Sequence, residues 1–462
     1  MLKNLILNSD SYKYSHFLQY PPGTTHTSAY IESRWGESDE VVFFGLQVFL
    51  NEYLNKKFSG FDIAEAKSLI TAHGLPFNEE GFHDILKYHG GLFPVEIQAV
   101  PEGTIIGLNQ VQLQIKNTDP RFPWLPTFLE TALLRAIWYP STVATLSRNV
   151  KKTIWQYLKE TCDDPESQID FKLHDFGARG ASSEETAMLG GMAHLVNFKG
   201  TDTVSALVGA RQYYQESMAG FSIPASEHST ITAWGKEHEL DAFRNMIVSF
   251  GKKDNLVACV SDSYDIYEAC NKLWGEALKE QIKDIGCTLV VRPDSGDPVE
   301  VTLKVIEILG EKFGYSTNQK SYKVLSPFVR IIQGDGVNPN SIKAILENYK
   351  QHGWSAENIA FGMGAALLQK VNRDTFGYAM KVNAIKKNDG DWLPISKNPV
   401  TDSSKASKAG RLALERRGDV LQTIPEENLS AMNEMRVVWR VTENKRIFVQ
   451  EAFPPIRMRA AV

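Results

Sequence analysis

Between Phe171 and Ala366, runs of branched apolar residues recur, and each stops abruptly on glycine with charged or hydroxyl residues before a helix-like stretch begins. The stops read HDFGARG (174–180), FKGTDT (198–203), IPASEH (223–228), VSDSYD (260–265), VRPDSG (291–296), IQGDG (332–336) and FGMGAA (361–366). A strand buried in a parallel sheet is such an apolar run, and the helix after it needs a cap and a tight turn. In (β/α) barrels the active site is built from the loops after the strands, so this segment predicts a barrel whose mouth the stop residues line. Helix starts agree. Asp297-Pro298 and Asn338-Pro339 each place a capping side chain before a proline at the first helical position, and Ser182 with Glu185 has capping-box spacing. Behind Asp297, Val301, Val305, Ile308 and Leu309 recur at helical spacing and predict the face that covers the sheet.

Outside this segment the pattern changes. Residues 94–116 alternate apolar and polar positions around a Pro-Glu-Gly turn, predicting a meander of antiparallel strands with one wet face. Residues 124–160 read as helix, and the tail returns to strands in MRVVWRV and RIFVQEAF. The expected division is therefore an α/β sandwich domain formed from both chain ends, residues 1–160 with 380–462, and a barrel domain, residues 161–379. Residues 386–411 are polar and rich in lysine, either a solvated loop or a mobile basic loop that meets phosphate.

The 462 residues exceed one ordinary core, and 43% hydrophobic with 23% charged residues is a globular composition. A net charge of −5 argues against a nucleic-acid partner. Cys162, Cys259, Cys270 and Cys287 lack metal-ligand spacing and read as buried thiols of a reducing compartment. With no apolar run long enough for a membrane span or a signal peptide, a cytoplasmic location is expected.

Glycines in IQGDG and FGMGAA let backbone N–H groups approach an anion, and their place late in a barrel matches the usual phosphate site. Asp265, Asp294 and Asp335 at separate strand ends suit Mg²⁺ through water, sugar hydroxyls, or simple helix capping. Three readings are open for His228 beside Glu227: proton transfer, phosphate acceptance, or a ring satisfied locally. Phe176 beside Arg179 is either core or one face of a site for a flat heterocycle. DSYKYSH (10–16) is a further polar cluster near the N-terminus.

At these motifs, together with DSYK (10–13), YPP (20–22), PASEHSTITAWG (224–235), SDSYDIY (261–267), QGDGV (333–337) and LLQKVNRD (367–374), the chain resembles the nicotinamide phosphoribosyltransferase family over nearly its whole length. The resemblance implies an irregular type II phosphoribosyltransferase barrel plus an α/β domain, and a homodimer with shared sites. It implies transfer of phosphoribose from 5-phosphoribosyl 1-pyrophosphate to nicotinamide in NAD salvage, with Mg²⁺, and ATP hydrolysis through a phosphohistidine. Carried over by motif, Phe176 would stack on the pyridine, with Asp10 and Tyr12 arriving from a second copy of the chain. Asp202 would accept the carboxamide N–H, with Arg292 and Ser261 nearby. Asp294 would hold ribose hydroxyls, and with Asp265 would place Mg²⁺. Gly334, Asp335 and Gly364 would bind the 5-phosphate, while Arg34, Arg179, Arg373, Lys381, Lys397 and Lys405 are candidates for phosphate or pyrophosphate. His228 matches the phosphorylated histidine.

The chain departs from the family at Ala365 and Ala366, where the pattern is glycine-rich, at Ala379, commonly serine, and in the thinner basic run after 400. Nicotinate transfer is the nearest alternative. A carboxylate at Asp202 facing nicotinate at roughly 4 Å would be repelled by about 4 kcal/mol at an effective dielectric near 20, which favours the amide. A lyase or aldolase would need a Schiff-base lysine or metal triad, and only Lys199 stands at a stop. A non-catalytic binding protein on the same scaffold would not need Phe176, Asp202, Asp265, Arg292 and Asp294 together.

Overall fold

The computed structural model describes residues 4–401 and 406–462. Lys405 lies outside them. The chain divides into two compact units, one of residues 1–145, 212–216 and 372–461, the other of residues 146–211 and 217–371 with Val462.

Strands from both chain ends build one sheet of the first unit, in the order Trp392–Pro394, Ala379–Lys387, Thr24–Glu32, Val111–Asn117, Val95–Ala99, Arg436–Val441, Arg446–Phe448. Every pairing in it is antiparallel. The expected wet face of residues 94–116 is not wet, since Gln112 and Gln114 are 0% and 1% exposed. The hairpin of Leu412–Arg417 and Val420–Pro425 covers it. Gln114 donates to the Leu412 carbonyl at 2.9 Å and accepts from its N–H at 3.0 Å, completing its hydrogen bonds with a later segment instead of with water, while Gln112 donates to the Ser33 hydroxyl at 3.0 Å. A second buried polar group, Glu102, accepts from the Gln47 N–H at 2.7 Å and the Tyr214 hydroxyl at 2.8 Å. Burial pushes its carboxyl up to about 7.

The second unit holds a parallel sheet in the order Gly200–Thr201, Leu173–Asp175, Ile359–Met363, Val329–Gln333, Thr288–Arg292, Leu256–Val260. Six of the seven expected strand ends terminate these strands. The seventh run, before PASEH, makes only isolated bridges, Phe221 to Gly200 and Ala225 to Ala258, yet these bridges reach both edges of the sheet. The Thr201 N–H donates to Phe221 and the Phe221 N–H to Lys199 on one side; the Ser226 N–H donates to Ala258 and the Ala258 N–H to Pro224 on the other. The sheet thereby curls into an irregular barrel closed by an irregular stave. Pro224 has no N–H, so a regular ladder cannot run through this stave. Inside, Ala258, Val290 and Ile332 pack with Ile223, Ala360 and Phe176.

The helix caps follow the sequence with one shift. Asp297 accepts from the Val299 and Glu300 N–H groups, and Asn338 from those of Asn340 and Ser341. The cap expected at Ser182 is made instead by Ser183, which accepts from the Thr186 N–H. The covering face of helix Pro298–Phe313 is Thr302, Val305, Ile306, Leu309, Gly310 and Phe313; Val301 and Ile308 are only half-buried, because the buried stripe is turned from the one their spacing suggested. All four cysteines are buried free thiols. Burial raises the pKa of each, up to about 11 for Cys162 and 12 for Cys259, which makes them poor nucleophiles.

Candidate active site

The strand ends of the barrel bring three sequence motifs together at Gly334. A Cβ built there would stand 2.9 Å from Asp294 Oδ1, 3.5 Å from Arg292 Cδ and 3.6 Å from the Phe176 ring. Only a residue without a side chain lets an aromatic face, a guanidinium and a carboxylate converge so closely. Gly362 serves the same ring from the next strand, since a Cβ there would fall 1.9 Å from Phe176 Cε2. The Phe176 main chain is fixed by its N–H to the Met363 carbonyl at 3.0 Å. Asp202 is exposed, and its Oδ1 accepts from the Ser222 hydroxyl at 2.5 Å.

Asp294 is half-buried at the end of Thr288–Arg292, where burial raises its pKa. Arg292, 3.7 Å away, and His228 work against the rise, whereas the charges of Asp262 and Asp335 add to it. The Arg292 Nε is buried without a hydrogen-bond partner. His228 opens helix His228–Thr232, with Nε2 2.9 Å from Asp262 Oδ1 and Nδ1 3.8 Å from Asp294 Oδ2. Asp262 also accepts from the Asp294 N–H at 3.1 Å and the Ser295 hydroxyl at 2.5 Å. It ties the PASEH, SDSYD and RPDSG loops together, and the sequence reading passed over it in favour of its neighbours. The signal was available: it is the first carboxylate after the strand that ends at Val260.

Ser261 is buried, donating to the Cys259 carbonyl and accepting from the Trp274 indole N–H, each at 3.0 Å. Asp265 caps its helix by accepting from the Tyr267 and Glu268 N–H groups. Asp335 and Arg179 are exposed. Gly364 opens the short helix Ala365–Leu368, and the departure at Ala365 is accommodated against Gly180, whose missing Cβ would lie 3.1 Å from that of Ala365.

The remaining candidates belong to the first unit. Burial lowers the Lys381 pKa, opposed by Glu130 and reinforced by Arg34, Lys397 and Arg373, so three further cations act on Lys381. Arg34 bonds Glu32 through Nε at 2.9 Å, while its Nη2 is buried without a partner. Mutual repulsion of this kind is relieved by an anion. Tyr12 is 57% exposed, and Asp10 accepts from the Thr131 hydroxyl at 2.6 Å. Among the described residues, the one cluster with metal-ligand proximity is His89, Asp119 and Glu443. Arg121 is already ion-paired with both of its carboxylates, so its charge is neutralised without a metal.

A parallel barrel with an aromatic, two carboxylates and a histidine at its mouth, on a chain whose second sheet is built from both ends, defines a type II phosphoribosyltransferase. The profile of the nicotinate phosphoribosyltransferase (NAPRTase) family matches residues 171–443, and that of the nicotinamide phosphoribosyltransferase N-terminal domain matches residues 4–97. The chain belongs to this family and is a pentosyltransferase. It is 54% identical to a nicotinamide phosphoribosyltransferase of Xanthomonas campestris pv. campestris over 90% of this chain and 88% of that one. It is 32% identical to the nicotinamide phosphoribosyltransferase of Acinetobacter baylyi over 98% and 96%. Among solved structures, the nicotinate-nucleotide pyrophosphorylase from Pyrococcus furiosus superposes with a TM-score of 0.63 at 16% identity, covering 100% of this chain and 95% of that one. No helix among the described residues is long and apolar enough to cross a membrane.

Proposed function

We propose that the enzyme transfers phosphoribose from 5-phosphoribosyl 1-pyrophosphate to nicotinamide, forming nicotinamide mononucleotide and pyrophosphate in NAD salvage. The observation that carries the reading is the convergence of Phe176, Arg292 and Asp294 on Gly334. Phe176 offers one face to the pyridine, Asp202 accepts the carboxamide N–H, and Asp294 takes the ribose hydroxyls. The pyridine nitrogen already carries a lone pair, so no general base is required. As its bond to the anomeric carbon forms and the bond to pyrophosphate breaks, positive charge develops on the ribose and negative charge on the leaving group. The carboxylate of Asp294 stabilises the first. The cluster of Arg34, Arg373, Lys381 and Lys397 suits a polyphosphate.

Asp265 and Asp294 would hold Mg²⁺, which would neutralise part of the pyrophosphate charge. The fit rests on Asp294, whose carboxyl is held up by burial and by two neighbouring carboxylates and gains from a cation. His228 serves ATP. Donation of Nε2–H to Asp262 leaves the Nδ1 lone pair free to attack the γ-phosphorus, forming an N–P bond, breaking the β–γ bridge and releasing ADP; water later returns phosphate. We place the enzyme in the cytoplasm as a homodimer, in which Tyr12 of one copy reaches the pyridine of the other.

Two measurements test this. Asp202→Asn removes the charge that repels nicotinate, so the preference for nicotinamide should narrow; an unchanged ratio would place selection elsewhere. His228→Ala should retain synthesis at saturating sugar donor and lose the ATP-driven fall in the donor constant, a loss of about 5- to 150-fold if the coupling is of usual size. A variant with ATP stimulation intact, or with no synthesis at any donor concentration, would overturn the ATP assignment.

A further inference from the structure

Asp175 ends the strand Leu173–Asp175 one residue before Phe176 and is 0% exposed. Its Oδ1 accepts from the Gly177 N–H at 2.7 Å, and its main-chain carbonyl accepts from the Asp202 N–H at 2.9 Å. Burial raises the pKa of its carboxyl, and the hydroxyls of Thr203 and Thr201 work against that rise. Even so, Oδ2 and Thr203 Oγ1 are buried without a full hydrogen bond. Gly191 leaves the space for Oδ2, since a Cβ there would stand 3.2 Å from it. The two amides that flank the Phe176 ring are thus both fixed, its own to Met363 and the next to Asp175. With those amides held, the direction of the ring is set by the backbone. The same residue anchors the first amide of the loop that presents Asp202.

We propose that Asp175 is a positioning residue that holds the Phe176 turn and the Asp202 loop in register for the pyridine without touching it. The inference rests on the reading of Phe176 and Asp202 as the base pocket. A misdirected stacking face or carboxamide acceptor weakens binding of the base, while the sugar donor and the bond-making step depend on other groups. The consequence is a defect confined to the Michaelis constant of nicotinamide.

Asp175→Ala and Asp175→Asn, compared with the wild-type chain, separate the possibilities. Asparagine keeps an acceptor for the Gly177 N–H, and alanine does not. The alanine variant should raise KM for nicotinamide about tenfold or more, with kcat and the donor KM within about twofold, and asparagine should restore most of the loss. Hydrogen exchange gives a readout independent of activity: the Gly177 amide should exchange faster in the alanine variant and stay near wild type in the asparagine one, while the Asp202 amide, whose acceptor is the main-chain carbonyl that both variants keep, stays protected. Unchanged KM, unchanged Gly177 exchange, or a fall in kcat with parallel changes in both Michaelis constants would overturn the proposal. Should the alanine chain fail to fold, Asp175→Ser, which cannot span to the turn, is read by the same criteria. A wild-type chain that makes no nicotinamide mononucleotide would refute the proposed activity, and exchange would still decide whether the Asp175 carboxylate holds the Phe176 turn.

Discussion

The carboxyl of Glu102 ionises in the folded chain near 7, against an ordinary value of 4.5, because burial penalises its charge. Between those values the folded chain holds a proton that the unfolded chain has released, so this group's contribution to stability is complete below 4.5 and is lost as pH rises through 7. The full loss is on the order of 3 kcal/mol. Glu102→Gln keeps an oxygen to accept from the Gln47 N–H, turns an amide N–H towards the Tyr214 oxygen in place of the second carboxylate oxygen, and has no proton to lose. Urea unfolding at pH 5 and pH 8 should show a wild-type decline that the variant largely lacks; matching declines would mean that Glu102 is solvated or paired above pH 7. The same contrast between residue type and surroundings explains Asp262. Sequence offers two aspartates in SDSYD, and nothing in their identities says that the first is held between His228 and Ser295 while the second caps a helix.

At the scale of elements, the strand at Ile359–Met363 is shaped by the ring it faces. Gly362→Ala would place a methyl group inside the Phe176 ring, so the ring must rotate away from the pocket. We expect a nicotinamide KM raised by about tenfold or more, with secondary structure retained by circular dichroism, the cost of one off-rotamer aromatic being small beside a whole barrel. An unchanged KM would show that Phe176 does not stack on the base. Strand ends were legible in the sequence because an apolar run, a glycine cluster and a cap are all local signals. The wet face expected at residues 94–116 was not, because Leu412 of the covering hairpin is distant in sequence. The missing ladder before PASEH follows from Pro224, a residue visible in the sequence whose consequence depends on which strands flank it.

For the whole molecule, the assignment of Tyr12 and Asp294 to one site built from two copies predicts complementation. Tyr12→Ala and Asp294→Ala chains, each inactive alone, should regain activity when mixed into heterodimers; verified heterodimers without activity would confine each site to one chain. The site itself was legible in part. Phe176, Arg292 and Asp294 were named from their motifs, and the structure brings them together across Gly334 because the sheet curls, although two strands separate Leu173–Asp175 from Thr288–Arg292. Lys381, Arg34, Arg373 and Lys397 were equally named, but only folding reveals that the charges of the last three act on Lys381.

The stave that closes the barrel leads directly into His228. Its attachment to the neighbouring strands is a seam of a few hydrogen bonds, where the other strands are joined by regular ladders. A cask opens first where its staves are least firmly joined. The phosphoryl group proposed for His228 would add its charge at the end of this stave, beside a boundary held by few bonds. The proposed point of chemical input and this sparsely bonded boundary are one continuous stretch of chain, which touches both edges of the sheet, at Phe221 and at Ala225.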